Sequence, residues 1–191
     1  MKKLMVIDCC MREGSRTARI LNPVIDALSS RYDVEYIRVE DLHLAAVDSR
    51  VLEERASGYV PEEIVAISRR LAAASRIVIA APFWDMSFPS ALKVFFENMS
   101  LFNITFADDG EKCVGLCSCK RVLYITTRGM NIHTGDAQEQ ASPYIKAISS
   151  LWGLGEVITI AAENMDYSTD VQVEEKIKRA IDQALDVCKD F

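Results

Sequence analysis

No stretch of this sequence reaches the roughly 18 uninterrupted apolar residues that a membrane-crossing helix needs, so no membrane partner is expected. Nothing in it repeats, no tract is low in complexity, and no Pro- or Gly-rich linker divides it. One domain spanning residues 1–191 is therefore expected. Positive charge is also scarce. Lys and Arg number 22 against 28 Asp and Glu, a formal net charge of −6, whereas a nucleic-acid surface wants a basic face. Several chemical signatures are missing as well. The first loop has neither G-x-G-x-x-G nor a Walker lysine, which speaks against a dinucleotide fingerprint and a nucleoside triphosphate. No G-x-S-x-G elbow is present, which disfavours a seryl or cysteinyl hydrolase.

The cysteines lack the spacing of a metal site. Cys113, Cys117 and Cys119 gather in "CVGLCSC", but there is no repeated C-x-x-C and no nearby His. No metal is expected there or at the vicinal pair Cys9–Cys10. The opening "MKKLMVIDCC" has a short apolar run broken by an acid and no small-residue cleavage site. It reads as a first strand rather than a leader, so a cytoplasmic setting with reduced thiols is expected.

What is present is an ordinary globular composition, half apolar and about a quarter charged, enough for a full core. Strands are expected at Lys3–Asp8, Val34–Val39, Arg76–Ala81, Arg121–Thr127 and Val157–Ala162. Between them "GSRTARILNPVIDALSSRY" has a helical face of Ile20, Val24 and Leu28, with Pro23 inside it as a kink or an early turn. The segment "DLHLAAVDSRVLEERASGYV" reads as a long, partly helical connection. Pro61 opens a helix to about Ser75, and Pro89 opens another with Leu92, Phe95, Phe96, Met99 and Phe102 at helical spacing. "ITFADDGEKCVGL" carries the Asp-Gly signal of a hairpin. "PYIKAISSLWGLG" is a helix stopped by glycine. The last helix, about Val171 to Lys189, turns Ile177, Ile181, Leu185 and Cys188 inward. This alternation predicts an α/β fold: a five-stranded parallel sheet with helices on both faces.

Such sheets bind ligands outside the carboxyl ends of their strands. Three loops there carry chemistry. "CCMREGSRTAR" sets Gly14, Ser15 and Thr17 at a helix start, where hydroxyls and free N–H groups make a phosphate site; the same residues also suit simple helix capping. "PFWDMSFP" is stiffened by Pro82 and Pro89. Its Phe83, Trp84, Met86 and Phe88 can line a flat apolar ligand or pack in the core, Phe83 and Phe88 first. "TTRGMNIHTGD" offers Thr127 and Arg128 as donors, a tight turn at Gly129, and His133, which is either an edge donor or a surface residue. A phosphate socket, a flat slot and a polar edge along one rim point to FMN.

On these residues the sequence resembles the flavodoxin-like FMN-dependent NAD(P)H oxidoreductases, the azoreductases and quinone reductases with the related NADPH-dependent FMN reductases. "EGSRT", "APFWDMSFPSALK", "ITFADDGEKCVGL" and "TTRGM" with "NIH" carry the likeness over nearly the whole chain, "APFWDMSFPSALK" most specifically. The resemblance implies Ser15, Arg16 and Thr17 around the FMN phosphate, and Pro82, Phe83, Trp84, Asp85 and Met86 along the ring and ribityl chain. It implies Thr127, Arg128, Gly129 and Met130 at the polar edge of the ring, with His133 as the catalytic donor near its pyrimidine end. Cys9 falls in the cofactor site where azoreductases often have serine, as does Cys10 beside it. Asp85 stands in place of a common asparagine, and Met130 in place of a second glycine. The activity implied is ping-pong hydride transfer from NADH or NADPH through FMN to a small acceptor such as a quinone or azo compound. A homodimer with the flavin at its interface is also implied. Two alternatives remain from the residues: a flavodoxin-type electron carrier with a protein redox partner, and an iron–sulfur flavoprotein resting on "CVGLCSC" alone.

Overall fold

Leu4 to Ile7 form an unbroken apolar run, the composition of a strand covered on both faces, and all four are buried in β1 (Lys2–Asp8). The computed structural model describes residues 1–191. After β1 come α1 (Arg16–Ser29), β2 (Tyr32–Arg38), a 3₁₀ turn at Val39–Leu42, α2 (Ser49–Ala56) and α3 (Glu62–Ala73). Then follow β3 (Arg76–Ala80), α4 (Ser90–Met99), β4 (Phe106–Asp108), β5 (Cys113–Gly115), β6 (Arg121–Thr127), α5 (Ala141–Trp152), β7 (Glu156–Ala162) and α6 (Asp170–Lys189).

The main sheet has the order β2-β1-β3-β6-β7 and is parallel throughout, the five-stranded parallel sheet that the alternation of strands and helices predicted. Side chains alternate between its faces. Met5, Ile7, Ile77, Ile79 and Tyr124 meet Leu71, Leu92, Phe95, Phe96 and Trp152 of α3, α4 and α5. Leu4, Val6, Val78, Leu123 and Ile125 meet Ile20, Val24, Leu28 and Ile177 of α1 and α6. Strand order reverses between β1 and β3. Their following helices lie on opposite faces, and this opens a crevice at the carboxyl edge.

Several expectations shift. β2 begins at Tyr32, and Val39 belongs to the turn after it. α1 runs through Pro23 without ending. Phe102 lies beyond α4 and is 57% exposed, because the helix stops at Met99. α6 turns Val173, Ile177, Ala180, Ala184 and Cys188 inward, while Ile181 and Leu185 are half-buried. The two alanines let α6 lie close to α1. "ITFADDGEKCVGL" forms the antiparallel β4–β5 hairpin, whose turn is held by Asp109 Oδ1 accepting from the N–H groups of Glu111 and Lys112. No helix is long and apolar enough to cross a membrane.

Candidate functional site

The crevice is a cleft of about 420 Å³, a size usual for small-molecule sites, built from the loops after β1, β3, β6 and β7. Met11 to Arg16 form one side, Pro82 to Trp84 the second, Thr127 to Gly129 the floor, and Met165 with Asp166 the remaining wall.

At the start of α1, Ser15 is the cap: its Oγ accepts from Ala18 N at 3.3 Å. Gly14 adopts φ +68 to bring the chain round. The backbone N–H groups of Arg16 and Thr17 find no acceptor within the chain, leaving two donors at the positive end of a fourteen-residue helix. Thr17 itself is fully buried, and its hydroxyl meets that of Thr127 at 2.7 Å. Arg16 reaches across the mouth to Asp166, Nη1 to Oδ1 at 2.9 Å.

The loop after β3 is rigid for a reason that its prolines did not announce. Trp84 and Ser87 exchange two backbone hydrogen bonds at 2.8 Å, closing a tight turn in which Asp85 (φ +47) and Met86 (φ +68) are both left-handed. This mirror-image turn normally takes Asn-Gly; a methionine there stores strain of about 1–2 kcal/mol. Gln140 N donates to Met86 O at 2.9 Å and ties the tip to the segment before α5. Pro82, Phe83 and half-buried Trp84 are left as an apolar strip along the cleft.

On the floor, a Cβ at Gly129 would lie 2.0 Å from Oδ2 of the exposed Asp166 side chain, which would have to swing aside. Asp166 N donates to Gly129 O and Met165 N to Arg128 O, both at 3.0 Å. Lys176 fixes the loop after β7 from α6, donating to the carbonyls of Glu163 (2.9 Å) and Asn164 (3.2 Å) and to Ser168 Oγ (2.8 Å).

Ser15, Arg16, Pro82, Phe83, Trp84, Thr127, Arg128 and Gly129 thus come together around the cleft. The others do not line it. Cys9 is buried, its N–H bonded to Ala80 O at 2.8 Å, and burial with the nearby Asp8 carboxylate pushes its thiol up to about 12. Cys10 is pushed higher still by the same causes, so neither offers a thiolate. Asp85 faces a separate depression with Lys93 and Tyr144. Met86 and Met130 are exposed at the rim. The Arg128 side chain has no exposed surface and points away from the cleft into a buried cluster. His133 pairs through Nδ1 with Glu163 and lines a hollow between β7 and α6.

Sequence reasoning missed the whole fourth wall, Met165 and Asp166, together with Met11, Arg12 and Glu13. The signal was available: β7 is parallel to its neighbours, so "ENMD" after it must reach the same edge.

A family model described as the flavodoxin-like fold matches residues 2–187. An FMN-dependent NADH:quinone oxidoreductase 2 of Clostridium acetobutylicum is 30% identical over 186 residues, covering 93% of this chain and 92% of that protein. An FMN-dependent NADH:quinone oxidoreductase of Clostridium perfringens is 28% identical over 200 aligned residues, covering 100% of both. Among solved structures, an FMN-dependent NADH-azoreductase of Bacillus anthracis in complex with FMN superposes with a TM-score of 0.82. It is 21% identical, with 98% of this chain and 100% of that one covered. At that identity the likeness speaks to the fold.

Proposed function

This chain belongs to the family with the flavodoxin-like fold, and on that premise we propose that it is an FMN-dependent NADH:quinone oxidoreductase, as its curated relatives are named, with azo compounds as further acceptors. The observation that carries this reading is the pairing, in one cleft, of Ser15 and the free Arg16 N–H at the start of α1 with the apolar strip Pro82–Trp84.

The residues present fit FMN. Arg16 N–H, Thr17 N–H and the Ser15 hydroxyl form a socket for one phosphate, with Arg12 and Arg16 supplying positive charge at the mouth. No second nucleotide fingerprint accompanies it, which favours FMN over FAD. Pro82, Phe83 and Trp84 supply a flat apolar wall, and the Gly129 backbone forms part of the floor. FMN bound there would supply the hydride-transfer chemistry between NADH and the acceptor, with the acceptor's second proton drawn from solvent. The chain's own part is to orient and shield. The Trp84–Ser87 turn keeps the apolar wall from collapsing, and the Gly129–Asp166 contact closes the side toward β7. No side chain in the cleft is an activated nucleophile, and none is needed. With one open mouth, donor and acceptor take turns in the same space, which supports a ping-pong order. His133, with Nδ1 held by Glu163 and Nε2 unpartnered, is the proposed donor at the reacting edge. The proposed partner is a second copy of the chain, and the proposed location is the cytoplasm, where six free thiols stay reduced.

The cofactor's identity tests this. Heat release followed by mass measurement is expected to yield FMN; recovery of FAD, or failure to take up added FMN, contradicts the reading.

A further inference from the structure

Arg128 is the most unusual side chain in the fold. Its guanidinium is wholly buried, yet it does not face the cleft whose wall its backbone helps to form. Nη1 donates to Ile132 O and to Glu163 Oε1, each at 3.1 Å. Nη2 donates to Thr134 Oγ1 at 3.0 Å, with Glu139 Oε1 at 3.7 Å. The group also lies 5.4 Å from the centre of the Phe83 ring. A buried cation is costly and persists only where its partners compensate it. Here those partners are distributed. Phe83 belongs to the loop after β3, Ile132 and Thr134 to the loop after β6, and Glu163 to the loop after β7. Glu139 opens α5, its Oε1 accepting from the N–H groups of Ala141 (3.0 Å) and Ser142 (2.8 Å). The planar fork reaches these groups at once, which an ammonium cannot do.

We propose that Arg128 is the positioning residue of the cleft: a buried guanidinium that holds the loops after β3, β6 and β7 in register from behind, without touching what the cleft binds. This rests on the flavin reading for its binding arm only. It also reassigns the one buried cation of the floor, since an arginine turned away cannot serve as the donor at the polar edge of the ring that the resemblance implied.

The test uses the full chain. Arg128→Met is combined with Glu139→Gln and Glu163→Gln, so that no buried charge is orphaned, and Arg128→Lys is the conservative partner. Fluorescence titration with FMN and with riboflavin is expected to show both affinities falling by the same factor, about tenfold or more, because a wall displaced by an ångström misplaces any ligand. Arg128→Lys is expected to fall between parent and triple variant, and it carries the test alone if the triple variant does not fold. A loss confined to FMN would place Arg128 on the phosphate and overturn the proposal. Unchanged affinities with only a lower Tm would overturn it too. Hydrogen exchange on flavin-free protein provides a second arm. Faster exchange is expected at the amides of Phe83, Trp84 and Ser87 and across Arg128–Glu139, with the strand interiors still protected. Uniform loosening, or none, contradicts the proposal. If the parent binds neither flavin, the proposed function fails, and the exchange arm still decides this inference.

Discussion

Thr17 and Thr127 meet hydroxyl to hydroxyl at 2.7 Å beneath the floor of the cleft. The bond joins the first turn of α1 to the last residue of β6 and so fixes where the free N–H groups of that turn point. Thr17→Val keeps the shape but leaves the Thr127 hydroxyl short of its partner. A stability loss of about 1–3 kcal/mol is expected from denaturant titration, with weaker binding of FMN. Unchanged stability would show that the two hydroxyls are not coupled.

Asp166 sets a carboxylate beside the proposed phosphate socket and occupies Arg16. Both side chains are partly exposed, at 42% and 64%, so the pair itself contributes little to stability. Asp166→Asn frees Arg16 and removes a repelling charge. FMN should bind about two- to fivefold tighter, while riboflavin, which has no phosphate, should be unaffected. Equal changes for both ligands would mean that the phosphate lies elsewhere.

The fold was legible in the sequence because its signals are local and strong. The runs Leu4–Ile7 and Ile77–Ala80 are apolar on both sides, Pro61 and Pro89 open helices, and Gly153 ends α5 in a left-handed cap. The site was legible only as far as its loops. That "PFWDMSFP" closes on itself was hidden, because Met86 stands where such a turn normally takes glycine. Where Arg128 points was hidden as well. Its orientation is set by Glu139 and Glu163, which lie 11 and 35 residues away and carry no motif of their own.

The buried thiols make stability fall in alkali. Burial pushes Cys9 and Cys117 up to about 12, and Cys119 and Cys188 up to about 11, from an ordinary 9.0. Once the unfolded chain begins to ionise near 9.0, the native state still holds protons that the unfolded chain has lost. Stability is therefore fully present below that value and declines as pH rises toward 11–12. Calorimetry from pH 8 upward should show Tm dropping beyond about 9; a Tm that is flat into that range contradicts it. Cys113, the exposed thiol, should be the first to react with a thiol reagent at neutral pH.

His133 is bound to Glu163 and stands outside the cleft, so it reaches a ligand only where the reacting edge extends past Met130. If it donates there, it favours the reduced ring, as oriented donors do where charge develops. His133→Ala is then expected to lower the reduction potential of the bound flavin and slow its reduction by NADH, with FMN occupancy unchanged. Equal values in both measurements would leave His133 as no more than a surface partner of Glu163.

The central claim is that one cleft passes electrons from a nicotinamide to a small acceptor with no protein partner. Anaerobic stopped-flow mixing of the FMN-loaded protein with NADH, followed by a quinone, tests it directly. The account predicts that NADH alone removes the visible absorbance of the flavin and that the quinone alone restores it. Absorbance that persists until a separate reductase is added would contradict the account and make the protein an electron carrier.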